Sequence, residues 1–217
     1  MPLKMYITDT DNMILRFAEK YGSISINQAY KLFYPNQVYG NVSAGKHLNK
    51  LVKYEKLNVY RDISGKINIY YMNKKLRYHD LLVLDYFVEL IHSGADIIHF
   101  KQNQEWMISP ENKKARYITD GFCCYKIGEK IIFNIIEVIR TNGIDKEKYI
   151  NLFESNEPQQ YSDYIYKKIG GTETITDFPK LIVIDNVQHM DDYLYINDQI
   201  EVKQLNFKLN NFSSIFL

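Results

Sequence analysis

The side chains best placed to do chemistry lie between Asn41 and Lys53. At roughly 100° per residue, Ser43, Lys46, Lys50 and Lys53 fall within an arc of roughly 80° on one side of a helix, opposite Ala44, Leu48, Leu51 and Val52. The segment contains no Asp or Glu, so the outward stripe is basic and polar throughout. Ser43, Lys46 and Asn49 can donate to or accept from base edges, while Lys50 and Lys53 suit phosphates. The chemistry on offer is therefore non-covalent recognition of duplex DNA. A solvated surface helix shows the same stripe when seen alone, and the elements around it decide between the two.

Those elements are legible. Thr8 to Asp11 supplies a cap and first-turn acids for a helix striped with Met13, Ile14, Phe17, Ala18 and Tyr21, and Gly22 stops it. Ser25 with Gln28 spells a capping box for a second, short helix whose inward residues are Ala29, Leu32 and Phe33, with Pro35 ending it. Two short helices and then the basic one make a helix-turn-helix pattern. Beyond Glu55 the period becomes that of strands. Leu57–Ile63 and Lys66–Met72 flank Ser64-Gly65, a short hairpin turn. This is the wing of a winged helix, with Arg61, Ser64, Lys66 and Asn68 on or near its tip, in reach of backbone phosphates. A bare hairpin that only closes the domain has the same pattern.

The segment Asn73–Arg77, NKKLR, reads as the joint between a domain at 1–75 and a second at 76–217. From Tyr78 to about His92 a helix is apolar around most of its circumference, which calls for burial in the second domain or sharing with a second subunit. Strands follow at Ile97–Phe100, Glu105–Ser109, Arg116–Tyr125 and Lys130–Ile139, the last two joined through Gly128. Helical segments at Ile144–Phe153 and Tyr161–Ile169 are separated by a polar break. The apolar run Leu181–Asp185 is a buried strand, and Tyr193–Ile196 and Ile200–Leu205 complete the set. This order describes an α/β domain on a mixed sheet, so the whole chain is α+β.

Composition narrows the classes. With 217 residues and 46% hydrophobic content there is core material for one large or two modest domains. Nothing approaches a membrane-spanning apolar run, and the start of the chain lacks a signal-peptide plan, so a cytoplasmic protein without a membrane partner is expected. The net charge of +1 hides a division. Residues 1–75 hold twelve Lys or Arg against five Asp or Glu, a net of +7, while the rest carry −6. A basic front half points to a polyanionic partner. Cys123 and Cys124 are adjacent and read as buried thiols. The five histidines show no zinc-binding spacing, Gly170-Gly171 lacks the lysine of a phosphate loop, and Trp106 reads as a core anchor; no cofactor is expected.

An opening TDTDNMILRFAEKYGSISINQAYKLFYP, then LRYHDLLVLDYFVEL, then a hairpin with TDG on one strand and EV on the other, resembles the replication-relaxation family of plasmid and mobile-element proteins. The resemblance implies a DNA-binding accessory or regulatory protein of replication, relaxation or transfer, with a second domain similar to the restriction-endonuclease, PD-(D/E)xK, fold. Nucleases of that fold place an Asp at a strand end and Glu-x-Lys on the next strand, so that two carboxylates hold a divalent metal and the lysine assists. Asp120 and Glu137 occupy the carboxylate positions, but the lysine position is Ile139. Arg140 points to the other face and cannot act as a base at ordinary pH. Lys101 or Lys126 could replace the lysine, and Glu89 could add a carboxylate. Without one of them the second domain is a non-catalytic module that docks on a replication initiator, a relaxase or a second copy of itself. The reading is thus a double-stranded DNA-binding protein, with a metal-dependent nuclease or nickase using Asp120 and Glu137 as the alternative.

Overall fold

Thr8 and Asp11 start the first helix by capping each other: Asp11 N donates to Thr8 Oγ1 at 3.2 Å, and Thr8 N to Asp11 Oδ2 at 2.8 Å. In the computed structural model, which describes residues 6–62, 65–108, 115–140, 143–185, 196 and 199–216, this helix is α1, Asp9–Tyr21. Gly22 ends it at φ +93°, a conformation that costs glycine little. Ser25 and Gln28 cap α2, Ile26–Phe33, in the same reciprocal way. The basic helix is α3, Gly40–Lys53, with Ala44, Leu48 and Leu51 buried as its periodicity requires. Met13, expected on the inward stripe of α1, is exposed; only Ile14, Ala18 and Asp11 of that helix are buried.

The hairpin strands are β2, Asn58–Arg61, and β3, Asn68–Tyr71, shorter than expected, and Ser64 at the tip lies outside the described residues. A third strand, β1, Ser23–Ser25, pairs with the outer side of β3, so the sheet order is β1-β3-β2 with every pairing antiparallel. Three residues between two helices give no alternation to read, and β1 exists because β3 supplies its hydrogen bonds. Ile14, Ala18, Ile24, Ala29, Leu48, Leu51, Leu57 and Tyr70 form one core beneath these elements.

The chain divides into two compact units, Met1–Ser93 and Gly94–Leu217, rather than at residue 75. The apolar helix α4, Tyr78–His92, belongs to the first unit, because polar contacts tie it to α2: Gln28 Nε2 donates to Asp85 Oδ1 at 2.7 Å, and Lys31 pairs with Glu89. The Tyr21 and Phe87 rings add a contact at 5.0 Å. With this boundary the charge division persists, +5 against −4.

The second unit is built on β4, Asp96–Ile108, β5, Ala115–Ile127, β6, Lys130–Val138, β7, Lys180–Asp185, and β8, Val202–Asn206, in that spatial order. The first three run antiparallel, while β6-β7 and β7-β8 are parallel. A mixed sheet is what the element order implied. Helices α5, Lys146–Ser155, and α6, Glu157–Lys168, span the crossover from β6 to β7. Tyr149, Leu152 and Ile165 from these helices pack with Trp106, Phe122, Ile135, Leu181 and Val183. Two elements differ from those expected. The polar tract from Lys101 to Gln104 separated two expected strands, yet β4 runs through it, since an edge strand tolerates polar residues and takes its hydrogen bonds from β5. The polar break at Ser155–Gln160 is only Asn156, left-handed at φ +57°, after which α6 begins at once. The strand expected at Tyr193–Ile196 lies almost wholly outside the described residues.

Two carboxylates of the first unit titrate in opposite senses. Burial pushes Asp11 up, but hydrogen bonds from Lys50, from Thr8 and from His47 outweigh it and hold the carboxyl well below the usual range. Its stabilisation is present above the ordinary carboxylate pKa of 3.8 and is lost only in strong acid. Burial also pushes Asp85 up, to about 6, with Glu89 adding to the rise and Gln28 and Lys31 opposing it. Its contribution is therefore full below 3.8 and lost as the pH rises through about 6. Asp85→Asn is expected to flatten stability between pH 4 and 7 and, at the upper end, to match or exceed the parent by on the order of 2 kcal/mol in urea melts. Asp11→Ala is expected to cost roughly 1–3 kcal/mol at pH 7, because the Thr8 cap and the ties to His47 and Lys50 are lost while those partly exposed side chains can still reach water.

Candidate functional site

Each unit carries one set of convergent polar side chains. On α3, Lys46, Asn49 and Lys53 are exposed and Ser43 is half-buried. Lys50, expected to face phosphates, is turned inward by its ion pair with the buried Asp11 of α1. His47 reaches the other oxygen of the same carboxylate, Nδ1 to Oδ1 2.7 Å. Asn49 Oδ1 accepts from Tyr70 OH at 2.9 Å, which orients its amide from β3. The outward stripe is therefore narrower than its sequence arc, and Asp11 is the reason.

At the hairpin, Arg61 and Lys66 are both exposed. Asp62 organises the turn: its Oδ1 accepts from Lys66 N at 3.1 Å and from Ile67 N at 3.0 Å. Sequence reasoning passed over the start of α3. There Val38, Tyr39 and Val42 are 92%, 75% and 55% exposed around Asn41, and the helix has no side-chain cap. The signal was available, since an apolar cluster just before a helix with no inward partner marks a contact surface.

In the second unit, the last paired positions of the β5-β6 ladder are Gly121 and Ile136, so Asp120 and Glu137 stand across from one another at the next step. The β4-β5 pairing omits the step that would join Asn103 to Asp120, and Asn103 is left-handed at φ +53°. Asp120 Oδ2 accepts from Val138 N at 2.7 Å, fixing it against the end of β6.

Glu137 is the focus. Lys148 Nζ donates to Glu137 Oε1 at 2.9 Å and to Oε2 at 3.1 Å, and Tyr149 OH donates to Oε2 at 2.6 Å. Both donors come from the first turn of α5, which Asp145 starts by accepting from Lys148 N at 3.1 Å. Burial pushes the Glu137 carboxyl up; Lys148 opposes this, Asp120 adds to it, and the Tyr149 bond pulls it down. Burial likewise holds the Tyr149 hydroxyl well above its usual range, so it acts as a donor.

The lysine absent at Ile139, itself buried in the core, is thus matched by one delivered from a helix. The replacements expected from the sequence lie elsewhere. Lys126 pairs with Glu129, Lys101 stands opposite Phe122 on β4, and Glu89 belongs to the first unit beside Lys31. Lys148 could not be found by spacing along a strand. Among the described residues no group of three or more His, Cys, Asp or Glu is placed to hold a metal ion. Cys123 and Cys124 are buried free thiols, both pushed up by burial, Cys124 to about 12. Trp106 is a core anchor whose Nε1 donates to Thr119 Oγ1 at 3.1 Å. No helix among the described residues is long and apolar enough to cross a membrane.

No protein-family model matches this chain, and no curated protein matches it. Among solved structures, protein VC1899 from Vibrio cholerae is similar at 11% identity and a TM-score of 0.35, over 95% of this chain and 50% of that one. The restriction endonuclease FokI, solved bound to DNA, is similar at 13% identity and a TM-score of 0.35, over 92% of this chain and 42% of that one. Both likenesses are distant, and this chain spans half or less of the length of each.

Proposed function

We propose that this chain binds double-stranded DNA through its first unit, a winged helix in which α3 enters the major groove and the β2-β3 hairpin grips the flank. The order α1-β1-α2-α3-β2-β3 with sheet order β1-β3-β2 supports that reading. The observation that carries it is the outward face of α3, where Lys46, Asn49 and Lys53 stand exposed on a helix without a single acid. Lys46 and Lys53 meet phosphates, the oriented Asn49 amide and Ser43 meet base edges, and Tyr39 and Val42 offer apolar surface to thymine methyl groups. Arg61 and Lys66 add phosphate contacts from the hairpin. The resemblance of these segments, spread over most of the chain, to replication-relaxation proteins favours a role in the replication, transfer or transcriptional control of a plasmid or mobile element.

Lys50 is excluded from the docking set, because leaving Asp11 would strand a buried carboxylate. Lys46→Ala with Lys53→Ala is expected to weaken binding to a mixed-sequence duplex. The log-log salt slope should flatten by roughly 0.9 for each phosphate contact removed, as read by fluorescence anisotropy across a salt series. An unchanged slope in the folded double variant would show that α3 is not the docking element.

A second reading is favoured by Lys148: a metal-dependent nuclease or nickase using Asp120 and Glu137. Two carboxylates are hard oxygen donors of the kind Mg2+ takes beside phosphate and water. The bound ion would supply Lewis-acid polarisation and an activated water. Lys148 opposes the upward push of burial on the Glu137 carboxyl, and Tyr149 fixes which way it points. Asp120 is held at the neighbouring strand end by Val138 N. Cleavage of supercoiled plasmid in Mg2+ or Mn2+ is expected to vanish in Asp120→Ala and to fall by on the order of 100-fold in Lys148→Ala. No cutting of supercoiled, linear or single-stranded DNA by the parent would remove this reading and leave the first intact. Whatever the catalysis, Glu137 has a raised pKa, so its contribution to stability is lost as the pH rises, and Lys148→Ala should deepen that loss. Its thermal destabilisation is expected to be greater at pH 8 than at pH 5.

A further inference from the structure

Away from the carboxylates, the second unit holds a cavity of about 570 Å³ between β4 and α6, lined by Ile98, His99, Tyr161, Tyr164, Ile165, Lys168 and Ile169. Its size falls within the roughly 300–1,000 Å³ of small-ligand sites. Tyr161 is a fixed wall: its ring meets His99, Trp106 and Phe122 at 5.8, 5.8 and 5.3 Å, each at a steep angle. His99 Nε2 lies 3.3 Å from its hydroxyl. Tyr164 continues that wall nearly in parallel, with centroids 6.4 Å apart and 22° between planes, yet it is 56% exposed. Ile169, at the same mouth, is 45% exposed. Lys168 closes the rim, its ammonium 5.2 Å from the Tyr164 ring centre.

The lining is selective in what it lacks as well as in what it holds. It contains no acid, though this unit carries a net −4. The positive charge at the rim comes from Lys168, with Lys101 on β4 close enough to act on the same imidazole. Burial, with Lys101 and Lys168, pushes His99 down, so at neutral pH it offers hydrogen bonds and no charge. Parallel aromatic faces, an apolar floor and a cation at the rim suit a flat ring that carries an anionic group. We propose that this cavity binds one nucleotide, the base against Tyr161 and Tyr164 and the phosphate at Lys168. The same chemistry is presented by a free mononucleotide and by a nucleotide of a single strand.

Trp106 is the one tryptophan of the chain and touches Tyr161 without lining the cavity, so its indole N–H resonance reports on occupancy. The full chain is titrated with thymidine 5′-monophosphate, thymidine, inorganic phosphate and oligothymidylate. A saturable shift with thymidine 5′-monophosphate, at least several-fold weaker with thymidine and absent with phosphate, supports the proposal. Tyr164→Ala and Lys168→Ala replace exposed side chains and should each weaken that binding by roughly five- to tenfold. Tighter binding of oligothymidylate would assign the site to a strand, and equal or weaker binding to the free nucleotide. No saturable shift with either probe, or unchanged affinity in both variants, overturns the proposal. So does loss of the response in the Lys46→Ala, Lys53→Ala chain, which tests duplex binding by the first unit and should leave this site untouched.

Discussion

A carboxylate drawn out of water must be met by donors, and in each unit of this protein one such carboxylate ties together separate elements, α1 to α3 and β6 to α5. Asp11, fully buried on α1, receives His47 and Lys50 from α3 as well as the backbone and hydroxyl of Thr8. Glu137, near the end of β6, receives Lys148 and Tyr149 from α5. An unpaired charge in either place would cost several kcal/mol. The constraint therefore sets how α3 is rotated about its own axis and where the first turn of α5 must lie.

For the first unit this constraint divides the basic stripe between two tasks. Lys50 and His47 are spent on structure, and the residues left outward are Lys46, Asn49 and Lys53. If α3 docks on DNA as proposed, the Asn49 amide, held by Tyr70 OH, has little freedom to lose on binding. The exposed Val38, Tyr39 and Val42 extend that surface toward the start of the helix with apolar rather than charged contacts.

For the second unit, the parallel pairing of β6 with β7 is decisive. A parallel neighbour requires a crossover, the crossover here is α5 followed by α6, and the chain must therefore turn into a helix just past Glu137. That geometry is why a lysine can stand at the carboxylate although Val138 and Ile139, which follow Glu137 in the chain, are buried. The same crossover lays α6 along β4 and forms the aromatic cavity around Tyr161. The carboxylate cluster and the aromatic cavity thus follow from one topological choice.

What the sequence determined by itself was local. Thr8, Gly22, Ser25 and Gln28 act on backbone groups within a few residues, and the apolar spacing of Ala44, Leu48 and Leu51 needs no knowledge of what covers it. These features were readable and stand as read, as does the helix from Tyr78 to His92. Pairing, in contrast, was decided by the tertiary structure. β1 is too short to show a period, β4 persists through a polar tract because β5 bonds to it, and α4 joins the first unit through Gln28 and Lys31. Neither the inward turn of Lys50 nor the arrival of Lys148 at Glu137 leaves a trace in spacing along one element. The reason is physical: periodicity records which side of an element faces inward, whereas a charge finds its partner across space, between residues that only the folded chain brings together.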